Sequence, residues 1–126
     1  RELLQVFMNL LKNAKEALIE HTPHDRQITI TIQDTSENIL TTFCDNGGGI
    51  SEAIIDKIFT PYFSTKDEQT GTGLGLYMSK TIIDKHMYGS ITPRSYDGTT
   101  CFEIIIPMMS PKDAYHKDLT TSKKEV

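Results

Sequence analysis

Between Leu3 and Leu18 the apolar residues fall three and four apart, and from Gln27 onward the repeat drops to two. Leu3, Phe7, Leu10, Leu11, Ala14, Ala17 and Leu18 form one stripe of an amphipathic helix over about residues 2–20. His21-Thr22-Pro23-His24-Asp25 breaks it. QITITIQDT then alternates as a half-buried strand does, and NILTTFCD reads as its antiparallel partner across a turn at Ser36-Glu37-Asn38. A helix with one apolar stripe and a sheet with one apolar face each need a cover, and each can cover the other.

The rest of the chain repeats this alternation. Asp45-Asn46-Gly47-Gly48-Gly49 is a glycine-dense break, after which Ser51 is placed to cap a short helix, SEAIIDKIF. Residues 60–72 have no period and hold Pro, Gly, Ser and Thr, which predicts a loop as long as those that form lids. A second helix is expected from about Leu74 to His86. GSITPRSYD and GTTCFEIIIP follow as two more strands around an Asp97-Gly98 hairpin turn. The order predicts an α/β fold: a two-layer sandwich whose mixed, mostly antiparallel sheet is covered on one face by helices.

Composition narrows the function classes. The 126 residues suit one domain, expected over residues 1–109, and the polar, lysine-rich residues 110–126 read as a tail. A net charge of −4 argues against a nucleic-acid surface. No apolar run approaches the ~20 residues that span a bilayer. Cys44 and Cys101 each lie in an apolar strand-like run and are expected as buried thiols of a reducing compartment, without a disulfide. The chain starts inside a helix and without methionine, which reads as a piece of a longer protein.

Three polar features stand out from this frame. In Gly71-Thr72-Gly73-Leu74-Gly75-Leu76 glycine occupies every second position just before a helix, either as a flexible turn or as a loop whose amides approach phosphate. Asn9 and Asn13 are four apart on one flank of the first helix. They suit capping or a loop contact, and equally an amide oxygen facing a hydrated Mg²⁺. Asp45 ends a strand immediately before three glycines, so its carboxylate can cap a turn or accept a hydrogen bond from an exocyclic amine.

Taken in order, NLLKNAKEA, DNGGGI, IFTPYFSTK and GTGLGLYMSK resemble the asparagine, first glycine, phenylalanine and second glycine boxes of sensor histidine kinases. The resemblance covers roughly residues 2–107. It implies the catalytic and ATP-binding domain of a two-component sensor kinase with the Bergerat ATP-binding fold. The wider GHKL group includes gyrase, mismatch-repair ATPases and heat-shock chaperones. By the same resemblance Asn13 would coordinate Mg²⁺ and Asn9 would help hold metal and phosphates, the two together forming the catalytic pair. Asp45 would read the adenine amino group, in a pocket shaped by Gly47, Gly49 and Ile50. Phe59 and Phe63 would anchor a lid whose Thr65 and Lys66 approach the terminal phosphates. Gly71, Gly73 and Gly75, with Thr72 and Leu74 between them and Leu76 after, would present amides to the phosphates. Neither a P-loop nor a dinucleotide fingerprint fits, because no Gly-Lys-Ser/Thr follows and no strand directly precedes.

Asn9 separates the activities within the group. Members that hydrolyse ATP usually carry a glutamate there to activate water, and an amide cannot take that proton. The expected reaction is therefore transfer of the γ-phosphoryl group of ATP to a histidine. That histidine is expected on a separate dimerisation domain of the same protein, upstream of Arg1, with a response regulator downstream. His24-Asp25 has the local look of an acceptor but sits in a loop, and His86-Met87-Tyr88-Gly89 stands where the family often has His-Gly-Gly. An anti-sigma-type serine kinase, another GHKL ATPase or a nucleotide-responsive binding module are the alternatives. The domain is expected to be cytoplasmic and monomeric, without direct contact to membrane or nucleic acid, whether or not the parent protein is membrane-anchored. Tyr62 joins Phe59 and Phe63 as an expected core anchor, and Glu2, Lys12, Lys15 and Glu16 are expected as solvated charges.

Overall fold

In the computed structural model, residues 1–63 and 73–108 are described. The first helix, α1, runs Glu2–His21 and buries Val6, Leu10, Ala14 and Leu18, the four-residue spacing that puts side chains on one face. Leu3, Phe7 and Leu11 flank this row half-buried against the core. The helix stops where Thr22 turns left-handed, φ 43°, and donates its N–H to the Leu18 carbonyl at 3.0 Å.

Four strands follow the predicted positions: β1 Ile28–Asp34, β2 Asn38–Asp45, β3 Ser90–Tyr96 and β4 Thr99–Pro107. They form one antiparallel sheet in the order β1-β2-β4-β3. The two predicted turns are present. Thr35 Oγ1 accepts the Asn38 N–H at 2.9 Å between β1 and β2, and Asp97-Gly98, both at positive φ, joins β3 to β4. Pro93 is tolerated because β3 is an edge strand. Phe43, Phe102, Ile104 and Ile91 form one face of the sheet and meet Val6 and Leu10 of α1 with Ile82 and Ile83 after α2. Each such side chain contributes roughly 1.5–3 kcal/mol on burial. The fold is the expected two-layer α/β sandwich, with the helices on one side, but among the described residues the sheet is wholly antiparallel rather than mixed as expected.

Four further expectations are corrected. The strand β1 is not half-buried: all seven residues are exposed, with Ile28, Ile30 and Ile32 at 39%, 46% and 64%. These isoleucines pair with Asp45, Phe43 and Thr41 and so lie on the helix side of the sheet, but α1 packs over β2, leaving the edge row uncovered by the described residues. The short helix SEAIIDKIF shrinks to a single 3-10 turn, Ile55–Lys57. Ser51 does cap locally, its Oγ accepting the Ala53 N–H at 3.0 Å, but three β-branched isoleucines and the approaching Pro61 give continued helix little support. The second helix is α-helical only over Gly75–Thr81 (α2) and continues as one π-helical turn, Ile82–His86, closed by the Met87 N–H on the Ile82 carbonyl at 3.1 Å.

The fourth correction concerns the cysteines. Cys44 and Cys101 are joined by a disulfide. They are direct register partners on β2 and β4, Cα–Cα 4.1 Å apart, a proximity created by pairing strands 57 residues apart in sequence. Among the described residues no free cysteine remains. Closing so long a loop restricts the unfolded chain, so reduction, or Cys44→Ser, is expected to lower stability by about 2–4 kcal/mol. Urea unfolding with and without a dithiol reductant measures this; coincident curves for the wild type would contradict it.

Candidate functional site

The polar flank of α1, the break after β2, the turn around Ile58 and the start of α2 enclose a cavity of about 350 Å³. At its inner end Asp45 closes β2, only 8% exposed. Its Oδ1 accepts the Gly47 N–H at 2.9 Å. Burial pushes the Asp45 carboxyl above its ordinary value of 3.8, against the opposing pull of the Gly47 amide and the nearby His21 imidazole. A buried carboxylate with one oxygen engaged by its own loop is a strong acceptor for a polar hydrogen brought in by a ligand.

The break that follows is held from several sides. The Asn46 carboxamide accepts the Gln27 N–H at 2.8 Å and donates to the Asp25 carbonyl at 2.6 Å. The Gly48 N–H reaches the Gly98 carbonyl at 3.0 Å, and the Ile50 N–H donates to Ser95 Oγ at 2.6 Å. Gly47 is needed for close approach: a Cβ there would lie 2.8 Å from that of Ala17. Gly47, Gly49 and Ile50 all line the cavity, with buried Thr100, the register partner of Asp45, beside them.

Along the wall, Asn9 and Asn13 both face the cavity from α1. The Asn9 Nδ2 donates to the Ser79 Oγ at 3.1 Å and to the Gly75 carbonyl at 3.3 Å, while its Oδ1 accepts from Gln5 Nε2 at 3.4 Å. At the outer end stand Phe63, Gly73, Gly75 and Leu76. Gly73 has φ +75°, and a Cβ there would fall 2.5 Å from the Tyr62 carbonyl carbon. Only glycine fits this clasp, in which the Tyr62 N–H also donates to the Gly73 carbonyl at 2.8 Å.

The structure brings together Asn9, Asn13, Asp45, Gly47, Gly49, Ile50, Gly73, Gly75 and Leu76. Phe59 is not part of the lining: it packs edge-on against Phe102 at 6.2 Å, with Lys80 Nζ over its ring at 5.6 Å. Leu74 caps α2 and is absent from the lining as well. Thr65, Lys66, Gly71 and Thr72 lie outside the described residues. Tyr62 is no anchor, being 75% exposed at φ 64°. Lys12 and Glu16, expected as solvated charges, line the cavity, as does His21; Glu2 instead bonds His86 Nδ1 at 2.6 Å. The helical period held the signal for Lys12 and Glu16, since positions 9, 12, 13 and 16 share one flank. For Thr100 the signal was absent, because it enters through strand register alone.

The histidine kinase-, DNA gyrase B-, and HSP90-like ATPase family matches residues 1–110. The chain is similar to the two-component sensor PprA of Pseudomonas aeruginosa, 34% identical over 116 residues that make up 90% of this chain and 12% of that protein. It is similar too to the sensor histidine kinase ZraS of Salmonella typhi, 38% identical over 112 residues, 86% of this chain and 22% of the relative. The chain thus spans well under a third of the length of these curated relatives. Among solved structures, the nucleotide-free catalytic domain of the histidine kinase ThkA superposes with a TM-score of 0.70 at 34% identity, covering 84% of this chain and 67% of that one.

Two outcomes follow from the geometry. Asp45→Asn keeps the acceptor for the Gly47 amide and removes a buried charge. Because the folded carboxyl titrates above 3.8, wild-type folding takes up a proton between 3.8 and the raised value, and the contribution of Asp45 to stability falls as pH rises through that window. The variant is therefore expected to match or exceed the wild-type Tm at pH 7, an advantage that shrinks below pH 3.8; calorimetry over pH 3–7 checks the sign. Gly73→Ala must adopt a left-handed backbone and displace Tyr62, so it is expected to cost about 1–3 kcal/mol in denaturant titration.

Proposed function

This chain belongs to the histidine kinase-, DNA gyrase B-, and HSP90-like ATPase family, and on that premise we propose that it binds Mg·ATP in this cavity and passes the γ-phosphoryl group to a histidine carried by another domain. One observation carries the reading: Asp45, the Asn9–Asn13 flank and the Gly73–Gly75 turn, from three separate segments, line a single cavity. It is closed by the buried Asp45 carboxyl at one end and bounded by the Gly73–Gly75 turn, Phe63 and Leu76 at the other.

Each wall has a distinct task. Asp45 accepts a hydrogen bond from the adenine amino group, while the slab of backbone made possible by Gly47 lets the flat ring lie against it. Gly73 and Gly75 bring amides close to the phosphates without intervening side chains. Thr65, Lys66, Gly71 and Thr72, outside the described residues, are proposed as further phosphate contacts, and Phe59 and Phe63 pack against the core.

A metal is implied by the nucleotide. Among the described residues no three His, Cys, Asp or Glu side chains converge, so a fully protein-coordinated ion does not fit. A carboxamide with a carboxylate one turn away, Asn13 and Glu16, does fit Mg²⁺, which keeps several waters and draws its remaining oxygens from phosphate. Asn13 would hold it, and bound there it would neutralise charge on the terminal phosphates.

The choice of acceptor follows from what is missing at position 9. A carboxamide there takes no proton from water, whereas neutral imidazole is itself a competent nucleophile and needs positioning more than a base. The acceptor is a histidine of the dimerisation domain of the same protein, with a response regulator receiving the phosphoryl group next. We propose residues 1–109 as the catalytic domain, in line with the family match over residues 1–110. No helix among the described residues is long and apolar enough to cross a membrane.

Isothermal titration is expected to show Mg·ATP binding by the wild type and at least a tenfold loss in Asp45→Ala, about the weight of a charge-assisted hydrogen bond. Unchanged affinity would overturn the adenine assignment. With γ-labelled ATP and a separate acceptor domain, the product label is expected to be acid-labile; an acid-stable label would favour the serine-kinase alternative. Asn13→Ala is expected to abolish transfer while adenosine still binds.

A further inference from the structure

The inward row of α2 and the turn after it reads Leu76, Ser79, Ile82, Ile83. Three of these are apolar core or core-packed residues, and the fourth is a serine with 0% exposure. A buried hydroxyl left unpaired is destabilising, and the partner of this one is on the other helix. The Asn9 Nδ2 donates to Ser79 Oγ at 3.1 Å and to the Gly75 carbonyl at 3.3 Å. Both hydrogens of one side chain on α1 thus land on α2, on residues one turn apart, next to Val6 and Ile83, which have no exposed surface. Apolar contacts alone tolerate sliding of one helix along another, whereas a directional, part-buried hydrogen-bonded pair selects one register.

That register bears on the cavity. Asn13 follows Asn9 by four residues, about 6 Å along the same flank. Gly75, whose carbonyl Asn9 holds, is itself part of the opposite wall. One carboxamide therefore ties the stretch of α1 that carries Asn13 to the glycine turn at the outer end. We infer that Asn9 and Ser79 form a positioning pair that fixes α2 against α1 and so sets the distance between Asn13 and the Gly73–Gly75 turn. The inference rests on reading the cavity as a Mg·ATP site. It gives Asn9 a role exerted through α2, where the sequence resemblance implies direct contact with metal and phosphates.

The test is titration of the 126-residue chain and its variants with adenosine and with Mg·ATP. Ser79→Ala is expected to weaken Mg·ATP about tenfold and leave adenosine unchanged, because the Asp45 end is untouched. The ratio of the two affinities is the readout that a general loss of stability would not move. Ser79→Cys keeps the size with a poorer acceptor; it is expected to fall between, and carries the same comparison should the alanine variant fold badly. Asn9→Ala combined with Ser79→Ala is expected to bind Mg·ATP no worse than Asn9→Ala alone, since both remove one link. A wild-type affinity ratio in the Ser79 variants, or losses that add in the double variant, overturns the positioning pair and leaves the Mg·ATP reading standing. A wild type that binds no Mg·ATP overturns both.

Discussion

The packing of α1 on the inner face of β2 and β4 sets everything else in place. Val6 and Leu10 sink onto Phe43, Phe102 and Ile104, with Phe7 and Phe43 in contact at 5.0 Å between ring centroids. Once that stripe is buried, the helix cannot rotate without exposing it, and the flank carrying Asn9, Asn13 and Glu16 must look sideways into the gap beside the sheet. The cavity exists because β4 lies between β2 and β3 and places Thr100 beside Asp45 under the C-terminal half of the helix. A hydrophobic contact with no chemistry of its own thus aims the polar groups that have it.

Polar burial is confined to few places, and each has a partner. Asp45 is held by the Gly47 amide, Ser79 by Asn9, and among the described residues no buried side-chain nitrogen or oxygen lacks a hydrogen bond. Both Asp45 and the Asn9–Ser79 link border the cavity, one near each end. A core built only of leucine and isoleucine would be easier to stabilise, but it would not fix where the two ends of an elongated ligand meet the wall. The backbone follows the same division. The departures forced by close approach, at Gly47 and Gly73, border the cavity, while Gly89 serves the fold by letting the chain pass where a Cβ would meet the Ile105 carbonyl at 2.1 Å.

Much of the site was legible because its residues come as local patterns. Asn9 and Asn13 at helical spacing, Asp45 before three glycines, and alternating glycines ahead of an apolar run each announce themselves within ten residues. What escaped entered by other routes. Thr100 reached the pocket by strand register. Glu16 and Lys12 were on the right flank but looked like ordinary helix charges. Phe59 and Tyr62 show the limit of reading aromatics as a group: of three close together, Phe59 went to Phe102, Phe63 to the cavity and Tyr62 to solvent. Residue type alone does not distinguish them, because the choice depends on where a tight turn aims each side chain.

The amino-acid order by itself determined the element sequence, the two-layer class, the hairpin turns and the segments that form the cavity, since periodicity, turn chemistry and capping act over a few residues. Only the tertiary structure decided which partners those segments found. It joined Cys44 to Cys101, left the isoleucines of β1 uncovered, reduced a predicted helix to one turn and spent the Asn9 amide on Ser79. Each of these depends on contacts between residues far apart in the chain, whose energies are set by packing and register rather than by any local preference.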